Sequence, residues 1–247
     1  MIDLLSLRRR PSGWPVLHQR WQRLVFLHWR LPPDEVRTQV PDALELDLFE
    51  GTAWASVVAF TVTRMRPSLL PPIPGLSEAH QVNARTYVRR DGIPGLWFFS
   101  LDANNALAVA AARAAYRLPY YRARIAVTSD NDAVTFRCER ADSRAPPALL
   151  DTAWTLGESL DSPRPATVDS FLLDRYLLYA GPDANVRARI HHRPWPLRRA
   201  ALTRLSSTML EAADLAPSEG PSLIHAQALP FDVAIWRPER AIDGVFR

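Results

Sequence analysis

Five polar residues in the stretch Val82–Asn105, VNARTYVRRDGIPGLWFFSLDANN, have types and spacing suited to holding a small charged molecule. Asn83, Arg85 and Tyr87 recur at every second position, and Ser100 and Asp102 do the same further on. In an extended chain that spacing puts each set on one face. A guanidinium grips a carboxylate with two prongs, an amide and hydroxyls orient what it holds, and a carboxylate moves protons. The pattern points to an anionic or carbonyl-bearing small molecule, with Asp102 or a histidine as base if lyase- or isomerase-type proton transfer follows. The same residues also read as an ordinary wet sheet face, on which Arg85 and Asp102 form a diagonal cross-strand ion pair.

A hairpin must bring the two sets together. Placing Arg89 opposite Leu96, with Arg90–Gly95 as the loop, sets Tyr87 against Phe98, Arg85 against Ser100 and Asn83 against Asp102. One face then carries Ala84, Thr86, Val88, Trp97, Phe99 and Leu101, and the other carries the polar set, a division that a one-residue slip destroys. Asn104 and Asn105 cap the run ALAVAAARAAYRL, whose alanines predict a thin helix able to lie close on a sheet or across one end of it.

The rest of the chain predicts mostly short strands, in keeping with 22 prolines against nine glycines. WQRLVFLHW alternates from Trp21, with Trp21, Arg23, Val25, Leu27 and Trp29 on one face and Gln22, Leu24, Phe26 and His28 on the other. A short helix starts at Pro32. Strands follow at Leu44–Phe49, where Glu45 and Asp47 read as an exposed edge, and at Thr52–Thr63. Arg66–Gly75 holds four prolines and reads as an extended loop, suited to a lid or a subunit contact. Tyr120–Val127 and Ala133–Arg140 form a second hairpin on which Arg122 and Arg124 share a face. Trp154–Leu160, Arg175–Tyr179, Val186–Arg193, Ser222–Leu229 and Phe231–Trp236 read as strands, Val168–Leu173 and Leu197–Ala213 as helices. Residues 1–18 read as a loose, flexible arm and 19–247 as a single domain.

Several chemistries are excluded. All 30 basic side chains are arginine, so no side chain forms a Schiff base or holds pyridoxal phosphate. No phosphate-binding glycine loop, nucleophile elbow or zinc-binding histidine pair occurs. His191 and His192 are adjacent in a strand and point to opposite faces, and with a lone Cys138 no metal site is expected. No cofactor is expected either. The net charge of +4 raises nucleic-acid binding, but the arginines are scattered and no nucleic-acid partner is expected. No apolar run reaches membrane-spanning length, so no membrane partner is expected and the chain reads as cytoplasmic. Arg122, Arg124, Tyr176 and one of His191 or His192 are secondary candidates for the same small-molecule site. The alternative is a non-catalytic assembly protein acting through a homo-oligomer or partner interface.

Beyond these local features, FLHW, ELDLFEGTAWASVV, NARTYVRRDGIPGLWFFSLDA, LPYYRARI, FLLDRYLLYA, HHRPWPL and DVAIWRPER together resemble the YqjF-like family of bacterial proteins of unknown function. That family is similar in structure to acetoacetate decarboxylase. The resemblance implies one α+β domain, mainly antiparallel, whose sheet curls into a closed or cone-shaped barrel around a pocket, with a few packed helices. The decarboxylases work through a lysine Schiff base, so the fold carries over and that mechanism does not.

Overall fold

The run AWASVVAF has no polar face at all, and the structure gives the reason: its strand is buried on both sides. The computed structural model describes residues 7–72, 77–227, 229–241 and 246. In chain order its elements are β1 (Leu17–Leu31), α1 (Pro33–Arg37), β2 (Glu45–Leu46), β3 (Ala53–Pro67), β4 (Ala79–Arg90), β5 (Ile93–Ala103), α2 (Ala106–Tyr116), β6 (Tyr120–Asp130), β7 (Ala133–Arg140), β8 (Leu149–Ser159), α3 (Val168–Leu173), β9 (Leu177–Ala180), β10 (Val186–His192), β11 (Leu197–Ser207), β12 (Leu223–Gln227), β13 (Phe231–Ile235) and β14 (Glu239–Arg240). The fold is α+β and its sheet is mostly antiparallel; β5 pairs in parallel with both β6 and β9.

The strand pairings close on themselves twice. One circuit runs β5–β9–β10–β13–β1–β3–β4 and back to β5; the other runs β5–β6–β7–β8–β11–β12–β1–β3–β4 and back. The wall β1–β3–β4–β5 belongs to both. Each wall strand sends alternate side chains into different cores: Val25, Leu27, Ala55, Val57, Val82 and Ala84 into one, Leu24, Phe26, Val58, Phe60, Tyr87 and Phe98 into the other. Full burial on both faces favours near-continuous apolar runs over alternation.

The circuits part company at two bulges. The first half of β1 pairs with β13 and the second half with β12; between them lies a register shift after Gln22, with Arg23 at φ +50°. Strand β5 gives Leu96 and Trp97 to β9 and Leu101–Ala103 to β6, and Phe99 is the extra residue in its register with β4. An extra residue bends the strand and exchanges its faces.

These bulges correct the expected faces. The hairpin turn is the two-residue Asp91-Gly92, both at positive φ, so Arg90 pairs with Ile93 and Arg85 with Phe98. Past Phe99, Ser100 pairs with Ala84 and Asp102 with Val82, on the face away from Arg85. Trp21 likewise sides with Phe26 and not with Val25. A further correction concerns Leu197–Ser207, expected as a helix: it is strand β11, which pairs with β8 and β12, leaving a single helical turn at Glu211–Ala213. The unpaired edges of those strands decide between two patterns the sequence supports equally.

Residues 1–6 of the expected arm lie outside the described residues. From Arg8 onward the segment lies on the body, with Arg8 paired to Asp174 and the Arg10 guanidinium over Trp236. Strand β3 extends to Pro67; Leu69 and Leu70 after it are exposed, and residues 73–75 of the expected loop, like residue 228 of the expected strand Ser222–Leu229, lie outside the described residues. Among the described residues no helix is long and apolar enough to cross a membrane.

Candidate functional site

Inside the smaller circuit is a cavity of about 540 Å3. Its wall strands are antiparallel, so β1 and β4 run from the mouth to the inner end and β3 and β5 run back. Strand β4 presents Ala79, Gln81, Asn83 and Arg85 in turn, and β1 runs from Leu17 through Gln19 and Trp21 to Phe26. Val16, Leu17, Pro67, Ser77 and Leu107 form the mouth, and α2 closes one side with Leu107, Ala112, Ala115 and Tyr116. The alanine-rich sequence of α2 lets it sit over the opening. At the inner end lie Arg85 and Arg175, with Leu173 and Trp195.

Arg85 is 8% exposed, has no carboxylate within ion-pair reach among the described residues, and leaves its Nε without a hydrogen-bond partner. Its guanidinium carbon lies 5.4 Å from the Phe26 ring centroid. Burial pushes its pKa down, opposed by contact with the Tyr87 hydroxyl; Arg175 nearby pushes it down further. Asn83 Oδ1 is buried and unpartnered on the same face. Arg175 donates from Nε to the Phe171 carbonyl (2.7 Å) and from Nη1 to Asp47 Oδ2 (2.6 Å), which leaves Nη2 free.

A polar cluster lies next to Arg85, outside the residues that line the cavity. Ser56 Oγ lies 2.7 Å from both Tyr87 Oη and His28 Nδ1. Burial holds His28 well below the usual imidazole range, with His225 and Arg85 adding to the effect. His192 is also buried and is pushed down to about 4, chiefly by burial, while its Nδ1 contacts the Arg193 carbonyl (2.7 Å). Both rings are therefore neutral near pH 7.

The structure brings Asn83, Arg85 and Tyr87 together and separates the other candidates. Asp102 lies in the larger circuit's core, where Arg140 holds both its oxygens, so the expected Arg85–Asp102 pair does not form. Ser100 is in that core too. Arg122 and Arg124 are exposed on β6, and Arg124 lies 3.9 Å from Glu139. Tyr176 is buried and stacks on His192 at 4.8 Å, behind the cavity lining, and burial raises its pKa to about 12. His191 points the other way, toward Trp236. The expected exposed edge at Asp47 is a second correction: Asp47 is buried between Arg89 and Arg175. Arg175 was not singled out by spacing, yet an arginine inside the apolar run FLLDRYLLYA is itself a signal, since a charge is buried only with partners. Among the described residues no cluster of His, Cys, Asp and Glu is placed to hold a metal ion.

A shallower groove of about 800 Å3 opens outside, where β5 forks, with Trp97 and Phe99 against Arg113 and Arg117. Among the described residues, none of the buried unpartnered polar atoms belongs to its lining.

The profile of DUF2071, described as an uncharacterized conserved protein, matches residues 18–230. The chain belongs to this family. It is similar to the uncharacterized protein YqjF of Bacillus subtilis, 34% identical over 227 residues that span 92% of this chain and 93% of YqjF. Among solved structures it is similar to the enduracididine biosynthesis enzyme MppR complexed with pyruvate (15% identity, 90% of this chain and 88% of that one, TM-score 0.60). It is also similar to the acetoacetate decarboxylase of Legionella pneumophila (13%, 95% and 90%, 0.58) and to an acetoacetate decarboxylase-like enzyme from Sphingomonas wittichii (12%, 92% and 93%, 0.59). The DUF2071 chain thus has the acetoacetate decarboxylase-like fold. With no lysine, none of its side chains supplies the amine of a Schiff base.

Proposed function

We propose that the cavity binds a small organic anion, with Arg85 as the principal anchor and Asn83 and Arg175 beside it. The observation that carries this reading is Arg85 itself: a buried guanidinium that faces a cavity without a carboxylate among the described residues. Removing an ion from water costs several kcal/mol unless a partner of opposite charge compensates. A bound carboxylate is such a partner and suits the two-pronged geometry. The similarity in fold to MppR, which was solved with pyruvate, supports the reading without carrying it.

Binding is favoured over acid–base turnover. Among the described residues lining the cavity there is no Asp, Glu or His, and Asp102, the base the sequence suggested, is sealed in the other core by Arg140. Proton transfer needs a group within hydrogen-bond reach of the substrate.

Isothermal titration with a panel of carboxylates, phosphates and neutral carbonyl compounds tests the reading. At least one carboxylate is expected to bind the wild type and to lose at least thirtyfold in affinity on Arg85→Met, of the order of a lost charge-assisted pair. Binding that is indifferent to Arg85→Met would place the site elsewhere.

A further inference from the structure

Among the described lining residues, the buried polar atoms that lack a partner lie only at the inner end. Gln19 and Gln81, halfway along, are already engaged: Gln19 Oε1 accepts from Trp21 Nε1 (2.7 Å) and its Nε2 lies 3.6 Å from Met65 Sδ, while Gln81 Nε2 donates to Tyr120 Oη (3.4 Å). The unpartnered atoms are Asn83 Oδ1, Arg85 Nε and Arg175 Nη2, all at or next to the blind end. The intervening wall is hydrocarbon and aromatic, including Phe60, Val62, Phe98, Leu101 and Ile190. From Ala79 at the mouth to Arg85 is six residues of extended strand, about 20 Å.

The mouth carries the apolar character outward. Trp14 is 88% exposed, and Leu69, Leu70, Leu107 and Val16 are also exposed. The segments that hold Val16 and Leu69 are tied together, since the Ser68 amide donates to the Val16 carbonyl (3.1 Å).

From this we infer that the ligand is an amphipathic monocarboxylate that enters head first: its carboxylate reaches Arg85 and Arg175, and an extended alkyl or aryl-alkyl body fills the shaft back to Leu107. The inference rests on the anion site proposed above and specifies its substrate class. Two properties of the cavity favour it over a compact keto acid or a dicarboxylate. At roughly 30 Å3 per water-sized group the cavity has room for roughly fifteen to eighteen non-hydrogen atoms, so a pyruvate-sized anion leaves most of the hydrocarbon wall uncovered. A second carboxylate would have to lie among Phe60, Val62 and Leu101, where no free donor meets it. A donor on the ligand next to its carboxylate, such as an α-hydroxyl, would satisfy Asn83 Oδ1.

Titration calorimetry on the full chain with acetate, pyruvate, succinate, hexanoate, octanoate, decanoate and decanol decides the matter, all below the concentrations at which they self-associate. The affinity of the straight-chain acids is expected to rise about fourfold per added methylene from hexanoate to decanoate, the gain of burying one methylene at about 0.8 kcal/mol. Arg85→Met is expected to weaken decanoate at least thirtyfold and decanol at least tenfold less than that. Ala115→Trp, at an exposed position on α2 that faces the shaft, is expected to abolish the gain with length while hexanoate still binds. Arg85-dependent binding of pyruvate or succinate with no gain along the series would overturn the substrate class and leave the anion site standing. No Arg85-dependent binding of any acid would overturn both.

Discussion

Arg140 grips Asp102 through two nitrogens, Nε to Oδ1 at 2.6 Å and Nη2 to Oδ2 at 2.8 Å, with both side chains out of contact with solvent. The neighbouring strand places Arg85 in an equally dry setting with no such partner. One buried arginine is thus committed to the fold and the other is left with unspent capacity.

Arg85→Met is expected to raise the stability of the ligand-free protein by about 1–3 kcal/mol, because an uncompensated buried cation is replaced by a side chain suited to its apolar neighbours. Chemical denaturation of wild type and variant without ligand measures this. A large loss of stability would mean that Arg85 holds the structure together through Tyr87.

Arg140→Ala is expected to behave in the opposite way and to cost about 3–5 kcal/mol, since it strands the Asp102 carboxylate in the larger circuit's core. Replacing both partners by apolar residues of similar volume, Arg140→Met with Asp102→Leu, is expected to recover most of the loss. Urea midpoints for the single and double variants check it, and a double variant no better than the single one would contradict it.

Acid is expected to weaken the fold through His192. Its folded pKa of about 4 lies below the unfolded value of about 6.5, so the unfolded chain binds the proton more readily. The stabilisation is complete above pH 6.5 and is lost as the pH falls toward and through 4. Between pH 7 and 4.5 His192 alone accounts for about 2 kcal/mol, and His28, shifted the same way, adds to it. Denaturation curves at the two pH values should show a loss about 2 kcal/mol smaller in His192→Gln than in wild type.

Gly95→Ala is expected to loosen the join between β5 and β9. A Cβ there would sit 2.8 Å from the Tyr179 ring and 3.0 Å from a Leu177 methyl, and both belong to the strand that closes the smaller circuit. Overpacking of this kind costs about 1–3 kcal/mol. Hydrogen exchange should show the change first in β9, with little effect on β7 and β8.

Much of this architecture was legible in the chain. The alternation of Asn83, Arg85 and Tyr87 placed those three on one face, and the alanines of Ala106–Tyr116 marked the thin helix that covers the cavity. What misled the period-two reading was a single extra residue in each of two strands. Arg23 and Phe99 lie in otherwise regular strand sequence, and neither is a glycine that would advertise a bulge. Beyond them every side chain changes sides, which is why Ser100 and Asp102 were grouped with Arg85. Asp91-Gly92 is a readable two-residue turn signal, and it shortens the expected Arg90–Gly95 loop. The strand β11 was not readable from Leu197–Ser207 alone, because what makes it a strand is the edge of β8, forty residues away in the chain and more. Arg175 and Asp47 escaped for the same reason: their partnership spans 128 positions.

The shared wall also sets where the chain tolerates changes of length. Strands β1, β3 and β4 have no face turned to water along their central stretches, so inserting or deleting one residue there would trade the contents of two cores at once. At Arg23 and Phe99 such an offset is already absorbed. Insertions should therefore survive near the two forks and fail between them, which makes the wall a ruler against which the lengths of both circuits are fixed.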